Sequence, residues 1–212
     1  SVSAFLLNRS SDLLVYLDTF TINGCNLNNL KSVQRLFYGT NNLEHLSLNF
    51  LSNIENIEDM AYLVAMSKLS SIDLTTLNTK KVKNMSHMFY GCGSLKSLDF
   101  TNLDTSLVED MSYMFSNCDS LSKLIFGDFK TNNVKNMSHM FSDCISLKQL
   151  EVSGFNTEKV EDMSYMFDSC FALEDLDISN FDTSNVKDMK YSFQFCNDLT
   201  SLNLKNFNTK NV

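Results

Sequence analysis

The chain has 212 residues and a formal net charge of −8, and its composition is 43% hydrophobic and 20% charged. Because binding to a nucleic-acid backbone needs a basic face, this charge argues against a nucleic-acid partner. No apolar run approaches the roughly 18 residues of a membrane span, so we expect contact with a membrane only through an anchor outside this sequence.

The chain begins with a segment, residues 1–13, that fits no repeat. We expect it to be an N-terminal cap or the end of a preceding partial repeat, since the open ends of repeat arrays need specialised cover. The sequence starts without Met and stops inside a repeat. This suggests a fragment of a longer protein.

From Val82 onward one pattern recurs at a fixed interval. The segment 82–100 (VKNMSHMFYGCGSLKSLDF) returns 26 residues later, and again from Val134, Val160 and Val186. Self-similarity at one period is typical of a solenoid. Counting back in steps of 26 places Met66 and Thr40 in the position of Cys92. We predict eight repeats: degenerate ones over 14–77, five regular ones over 78–207, and the start of a truncated repeat at 208–212.

Two periods alternate within each repeat. Val82, Met85, Met88, Phe89 and Cys92 have the spacing of one face of a short helix. The following Leu-x-x-Leu-x-Phe pattern predicts a turn and then a strand of period two. An Asx-Thr pair before four of the five predicted helices in the regular repeats indicates a turn. The fold class is therefore an α/β solenoid with one short helix and one strand per 26-residue repeat.

The predicted strands should form one continuous parallel sheet with neighbours about 4.8 Å apart. Helices pack about 8–10 Å apart, so the array should curve with the sheet on the concave face. The Met and Phe columns are then core, because nine of the 11 methionines occupy two equivalent positions.

Five of the six cysteines share one position in the repeat: Cys92, Cys118, Cys144, Cys170 and Cys196. We interpret them as buried structural thiols, since a free cysteine behaves as a small hydrophobic residue. Disulfides or metal binding are the alternatives, but a disulfide needs Cα atoms within about 7 Å. Cys25 lies in a different position, equivalent to Leu103.

No constellation of catalytic residues is apparent. The three histidines include His87 and His139, which lie two repeats apart and should not meet. No His-x-x-x-His or Cys-x-x-Cys pair offers the several close ligands that zinc needs, and no glycine-rich phosphate loop is present. We predict that the chain is not an enzyme, has no metal site and needs no cofactor.

A second alternation runs through the residue after each repeat Val, which is Lys83, Glu109, Lys135, Glu161 or Lys187. We hypothesise a ladder of opposite charges on adjacent repeats, which would penalise a slip by one repeat. The alternative is a solvated face without contacts.

The outward positions of the strands should line the concave face, which solenoids use for extended binding. The candidate binding residues there are mostly acidic or amide side chains; they are Asp73, Asp99, Lys123, Gln149, Glu151, Asp175, Asp177 and Asn203. Simple solvation of this face is the alternative.

The motif Met-Ser-x-Met-Phe-x-x-Cys-x-x-Leu-x-x-Leu-x-Phe/Ile, with FDTSNV at 181–186, resembles the 26-residue repeat of mycoplasma and Listeria surface lipoproteins, which is related to BspA-like leucine-rich repeats. The match is specific over 78–212 and weak over 14–77. The resemblance implies a leucine-rich-repeat solenoid, a location on the cell surface or outside the cell, and adhesion to host or matrix proteins or glycans. The alternative is a spacer that presents another domain and has no ligand of its own.

Overall fold

The computed structural model describes residues 27–212. The predictions for the cap at 1–13, for the first repeat from Leu14 and for Cys25 lie outside the described residues. The boundaries assigned to the degenerate and regular repeats stay a prediction.

Short parallel strands occupy the predicted positions. They are β1 (His45–Ser47), β2 (Ser71–Asp73), β3 (Ser97–Asp99) and β4 (Lys123–Ile125). β1 pairs with β2, and β3 pairs with β4, so that Leu98 lies opposite Leu124. Farther along, a single parallel bridge joins Gln149 to Asp175. Parallel stacking of successive repeats, which we call coils, is therefore confirmed.

The single continuous sheet that the sequence predicts is wrong. Within residues 27–212 the strands form two separate two-stranded sheets. A strand of three residues makes only one or two hydrogen bonds to each neighbour. The backbone segment before each strand already holds successive coils together. The strands therefore do not have to pair at every step, and their pairing is easily interrupted.

The short helix predicted in each repeat is also wrong. The part of the chain that the structure describes contains no α-helix, and only a 3-10 turn at Asn49–Leu51. Between 82 and 92, the N–H groups of Met85, His87, Phe89 and Gly91 donate to carbonyls of the next coil at 2.8–3.0 Å. The N–H groups of Met88, Tyr90 and Cys92 donate to the carbonyl three residues back, and the Ser86 N–H donates to the Asn84 side chain. An α-helix needs all of these donors for its own i→i−4 bonds.

The backbone angles of this segment exclude a helix as well. His87 and Gly91 have φ of 57° and 69°, in the left-handed region, and the equivalent residues of the other coils do the same. We call segment 82–92 and its equivalents the turn ladder. Isolated parallel bridges join it without a break through Ser32, Asp59, Asn84, Asp110, Asn136, Asp162 and Asp188.

Backbone hydrogen bonds thus set the spacing of the coils on both sides of the solenoid. The sequence predicts curvature because helices pack about 8–10 Å apart, which is wider than the spacing of strands. No α-helix separates the coils of residues 27–212, so this reason for curvature does not apply. We therefore call the surface formed by the strands and their equivalents the strand face.

The core lies between the turn ladder and the strand face, as predicted. Met88, Met114 and Met140 are completely buried. A column of phenylalanine rings runs beside them with centroids 5.4–5.9 Å apart and interplanar angles of 3–15°; it consists of Phe89, Phe115, Phe141, Phe167 and Phe193. Each aromatic side chain therefore packs on the same residue of the coils before and after it.

The structure corrects the register of the degenerate repeats. Bridges link Ser32 to Asp59 and Asp59 to Asn84, which are steps of 27 and 25 residues instead of 26. Ser67, not Met66, therefore occupies the position of Cys92, and the Ser67 hydroxyl lies 3.5 Å from the Cys92 sulfur. Met66 has a φ of 58° and is 46% exposed. The two irregular steps cancel, so Thr40 was placed correctly and is completely buried.

Candidate functional site

All eight candidate binding residues are exposed on the strand face. They fall into two columns along the stacked coils. The first column contains Ser71, Ser97, Lys123, Gln149, Asp175 and Ser201. The second column contains Asp73, Asp99, Ile125, Glu151, Asp177 and Asn203. The two columns differ in what their side chains contact.

Side chains of the second column stabilise the turn that follows each strand. Asp99 accepts a hydrogen bond from the Thr101 N–H at 2.9 Å, and Asp177 accepts one from the Ser179 N–H at 3.0 Å. Asp73, Glu151 and Asn203 accept the equivalent bond. Hydrogen bonds from Thr75, Thr101 and Ser179 lower the pKa values of Asp73, Asp99 and Asp177. Five of the eight predicted residues thus have a structural role that the sequence analysis did not assign to them.

The other three predicted residues lie in the first column. Lys123, Gln149 and Asp175 occupy equivalent positions on three successive coils, and none of these three side chains makes a hydrogen bond or ion pair within residues 27–212. In the other coils of this column the residue is serine, except for His45, which pairs with Ser71 in the first strand pair. A cation, an amide and a carboxylate are therefore presented together to solvent.

Ile125 lies beside this group and is missing from the predicted set. It takes the second-column position that carries a turn-stabilising oxygen in the other coils, and it is 37% exposed. The following turn differs too, because Gly127 has a φ of 57°. A Cβ atom at this position would lie 2.7 Å from the Thr101 Cα. The signal available in the sequence was the break in the Asp-x-Thr/Ser pattern at Ile125-Phe126-Gly127.

An aromatic column runs along the turn ladder, and the sequence analysis did not foresee it. His87 stacks between Tyr62 and Tyr113 at centroid distances of 4.1 and 4.5 Å. His139 stacks between Tyr113 and Tyr165 at 4.2 and 4.4 Å. The two histidines do not meet, as predicted, because a tyrosine separates them. Burial lowers the pKa values of both imidazoles, and each ring packs face to face between two tyrosines.

The predicted charge ladder is present as alternate ion pairs. Lys135 lies 2.6 Å from Glu109, and Lys187 lies 2.5 Å from Glu161. Lys83 pairs with Glu58 of the preceding coil at 2.9 Å. All of these side chains are largely exposed, so each pair contributes little to stability and instead favours the correct register.

The cysteine column is structural, as predicted. The thiols of Cys118, Cys144 and Cys170 donate to the carbonyls of Phe89, Phe115 and Phe141 at 3.1–3.2 Å. Cys92 and Cys196 make the same bond to the preceding coil, and these five cysteines are free. Burial raises the pKa values of Cys92 and Cys196 to about 11. These thiols are poor nucleophiles because the thiolate is the reactive form.

The cavities along residues 27–212 include open polar grooves and a small apolar cleft beside Phe167 and Phe193. One of about 300 Å³ is lined by Lys135, Lys159, Glu161, Asn185 and Lys187. Over the same residues, no group of three or more His, Cys, Asp or Glu side chains could hold a metal ion. Nor does that part of the chain include a helix with the length and apolar character needed to cross a bilayer.

The sequence matches a family described as "Mycoplasma protein of unknown function, DUF285" over residues 16–126, 94–176 and 150–212. No curated protein matches the chain. Three solved leucine-rich-repeat proteins are similar. One from T. pallidum is 21% identical with a TM-score of 0.47, covering 80% of this chain and 71% of its own. One from Eubacterium ventriosum is 14% identical with a TM-score of 0.47, covering 82% and 58%. One from Bacteroides ovatus is 16% identical with a TM-score of 0.39, covering 81% and 52%.

Proposed function

The chain belongs to this family of mycoplasma proteins, and from that premise we propose that it is a non-enzymatic binding module of a bacterial cell surface. Its partner is a protein or glycan that contacts the strand face. Localisation at the surface and adhesion follow from the resemblance of the repeats to those of surface lipoproteins.

The choice of the strand face as the binding site rests on one observation. Lys123, Gln149 and Asp175 are exposed on three successive coils without a hydrogen-bonding or ionic partner in the chain. Exposed Ile125 provides apolar area beside them. The other coils show that serine suffices for folding in the first column and that an oxygen acceptor is favoured in the second. We call Lys123, Ile125, Gln149 and Asp175 the central patch.

This combination suits a partner with polar groups of both signs and a small apolar surface. A cation and a carboxylate two coils apart, about 9.6 Å at the usual strand spacing, fix the orientation of such a partner. Exposed charges at the edge of a site affect the rate of association more than its affinity. Ile125 would supply most of the buried apolar area.

A substitution series tests the site with little risk to the fold. The variant Lys123→Ser, Gln149→Ser and Asp175→Ser installs the residue that Ser71, Ser97 and Ser201 already provide in the same column. The matched control is Lys159→Asn, which removes one exposed charge from the turn side, where Asn133 and Asn185 occupy the equivalent position. Both variants should unfold at the urea concentration of the original protein.

The measurement is binding of the purified protein to cultured host cells, to immobilised matrix proteins and to a glycan array. We expect the triple-serine variant to lose at least tenfold in apparent affinity for whichever surface the original protein binds, and the control to keep it. Equal binding by all three proteins would move the site away from the strand face.

If the original protein binds none of these surfaces, the spacer function is favoured instead. The observation that supports a spacer is the use of five of the eight candidate side chains in internal turns.

A further inference from the structure

Three exposed apolar side chains lie together at the corner between the turn ladder and the strand face. Ile145 and Phe171 occupy equivalent positions on adjacent coils, and each is 41% exposed. Phe195 is 54% exposed, and the centroid of its ring lies 6.3 Å from that of Phe171. We call Ile145, Phe171 and Phe195 the apolar patch.

The fold does not require apolar residues at these positions. The equivalents of Ile145 and Phe171 in other coils are Gly93, Asp119 and Asn197. The equivalents of Phe195 are Gly39, Gly91, Asn117, Asp143 and Ser169, with one other exposed apolar residue, Met66. Coils with polar residues or glycine here stack in the same way, so the exposed apolar area needs another explanation.

The backbone of Phe195 adds a second argument. Its φ is 56°, in the left-handed region, where glycine is unstrained and asparagine or aspartate is tolerated. Gly91 takes this conformation in an equivalent position with a φ of 69°. A phenylalanine here is strained and also exposes its ring. The positive φ recurs at this position in every described coil, but most coils place glycine or a small polar residue there, so the bulky ring of Phe195 costs more than the fold requires.

Carboxylates border the apolar patch. Asp143 lies two residues before Ile145, and Asp168 lies three residues before Phe171. The Oδ1 atom of Asp168 is buried and has no hydrogen-bond partner. Burial, together with the charge of Asp143, raises the pKa of Asp168. A buried acceptor without a donor is costly, so a cationic donor brought by a partner would be stabilised here.

Asp168 also differs from the residues that occupy the equivalent position in neighbouring coils. Ser116 and Ser142 occupy the position of Asp168, and both are buried and hydrogen-bonded to the next residue. Asp168 thus replaces a buried hydroxyl with a carboxylate that Ser169 hydrogen-bonds but whose Oδ1 atom has no donor within residues 27–212, three residues before Phe171 of the apolar patch.

We propose that the apolar patch and Asp168 form a docking site for a basic protein segment in which arginine or lysine alternates with leucine or phenylalanine. The apolar side chains of the segment cover Phe171 and its neighbours, and a cationic side chain reaches the Asp168 carboxylate. The overall charge of −8 favours the approach of such a segment. This site is separate from the central patch, so either proposal can fail alone.

Fluorescence anisotropy with three labelled synthetic peptides tests this proposal. The first alternates arginine with leucine and phenylalanine, the second replaces each arginine with glutamate, and the third replaces each apolar residue with serine. We expect the first peptide to bind at least tenfold more tightly than the other two. Equal binding of the first and second peptides would refute the role of Asp168, and equal binding of the first and third would refute that of the apolar patch.

Substitutions by the residues of neighbouring coils locate the site without disturbing the stack. Phe171→Asn and Asp168→Ser should each weaken binding of the first peptide at least tenfold, and Asp168→Ser should also raise the thermal midpoint. The matched control is Leu107→Asn, because Leu107 is 44% exposed elsewhere and Asn133 is its equivalent. If Phe171→Asn binds the first peptide as tightly as the original protein does, the proposal is overturned. It is also overturned if the original protein captures phosphatidylcholine vesicles and Phe171→Asn does not, because that result would indicate a lipid surface.

Discussion

Replacing one ring in the phenylalanine column tests whether the coils share a continuous core. Phe141 is completely buried, and its ring stacks on Phe115 at 5.4 Å and on Phe167 at 5.7 Å. A buried Phe→Ala substitution costs about 3–5 kcal/mol. Two stacked pairs, each contributing about 0.5–1.5 kcal/mol beyond burial, place Phe141→Ala in the upper part of that range.

Phe193→Ala is the matched control in the same column. Phe193 is only partly buried, and in this column it stacks on Phe167 alone, at 5.6 Å. Its loss should cost no more than about 1.5–3 kcal/mol, which is the transfer free energy of one large apolar side chain. The difference between the two variants therefore measures what a second neighbouring coil contributes.

Urea denaturation followed by circular dichroism gives the two free energies of unfolding. Solenoids unfold in local units, so hydrogen exchange should accompany it. Phe141→Ala should reduce protection of the turn-ladder amides in the coils of Phe115, Phe141 and Phe167, and leave the coil of Val64 protected. If Phe141→Ala destabilises the protein no more than Phe193→Ala does, the phenylalanine column is not a cooperative core.

Four further predictions concern the turns, the thiols and the strand face. Gly39→Ala should cost about 1–2 kcal/mol in urea denaturation, because Gly39 has a φ of 68° and open space around its Cα. Gly91→Ala should cost more, since its Cβ would lie 2.4 Å from the Met66 sulfur; equal costs would show that Met66 moves aside freely. In a Cys25→Ser background, a thiol reagent should modify the four buried cysteines (Cys92, Cys118, Cys144 and Cys170) only at the rate of unfolding, and the half-buried Cys196 faster; fast reaction of the four would contradict their burial. The raised pKa values of Cys92 and Cys196 predict stability that is complete below about pH 9 and is lost as the pH rises towards about 11. A urea midpoint that is equal at about pH 8 and about pH 10 would contradict this. Asp99→Ala should lower the urea midpoint because it removes the acceptor for the Thr101 N–H. Asp175→Ser should leave the midpoint unchanged. A lower midpoint for Asp175→Ser than for Asp99→Ala would show that the turn hydrogen bond is dispensable.

Part of the binding surface could be predicted from the sequence and part could not. The outward positions of the strands follow from the period of two, and all eight predicted residues are exposed. Their division into turn acceptors and free side chains depends on where the following N–H group points. The sequence shows Asp99 and Asp175 as similar acidic residues, but only Asp99 accepts a bond from its own turn.

The sequence by itself determined the period of 26 residues, the identity of the core columns and the parallel stacking of the coils. These follow from which residues are apolar, and that information is local. Only the tertiary structure decided the conformation between Val82 and Cys92. Spacings of three and four residues suit a helix equally well, but the N–H groups of alternate residues bond to the next coil, and residues at the His87 and Gly91 positions take positive φ. Whether a backbone N–H group bonds within its own coil or to the next coil depends on the presence of that next coil. The sequence of a single repeat therefore does not determine this conformation.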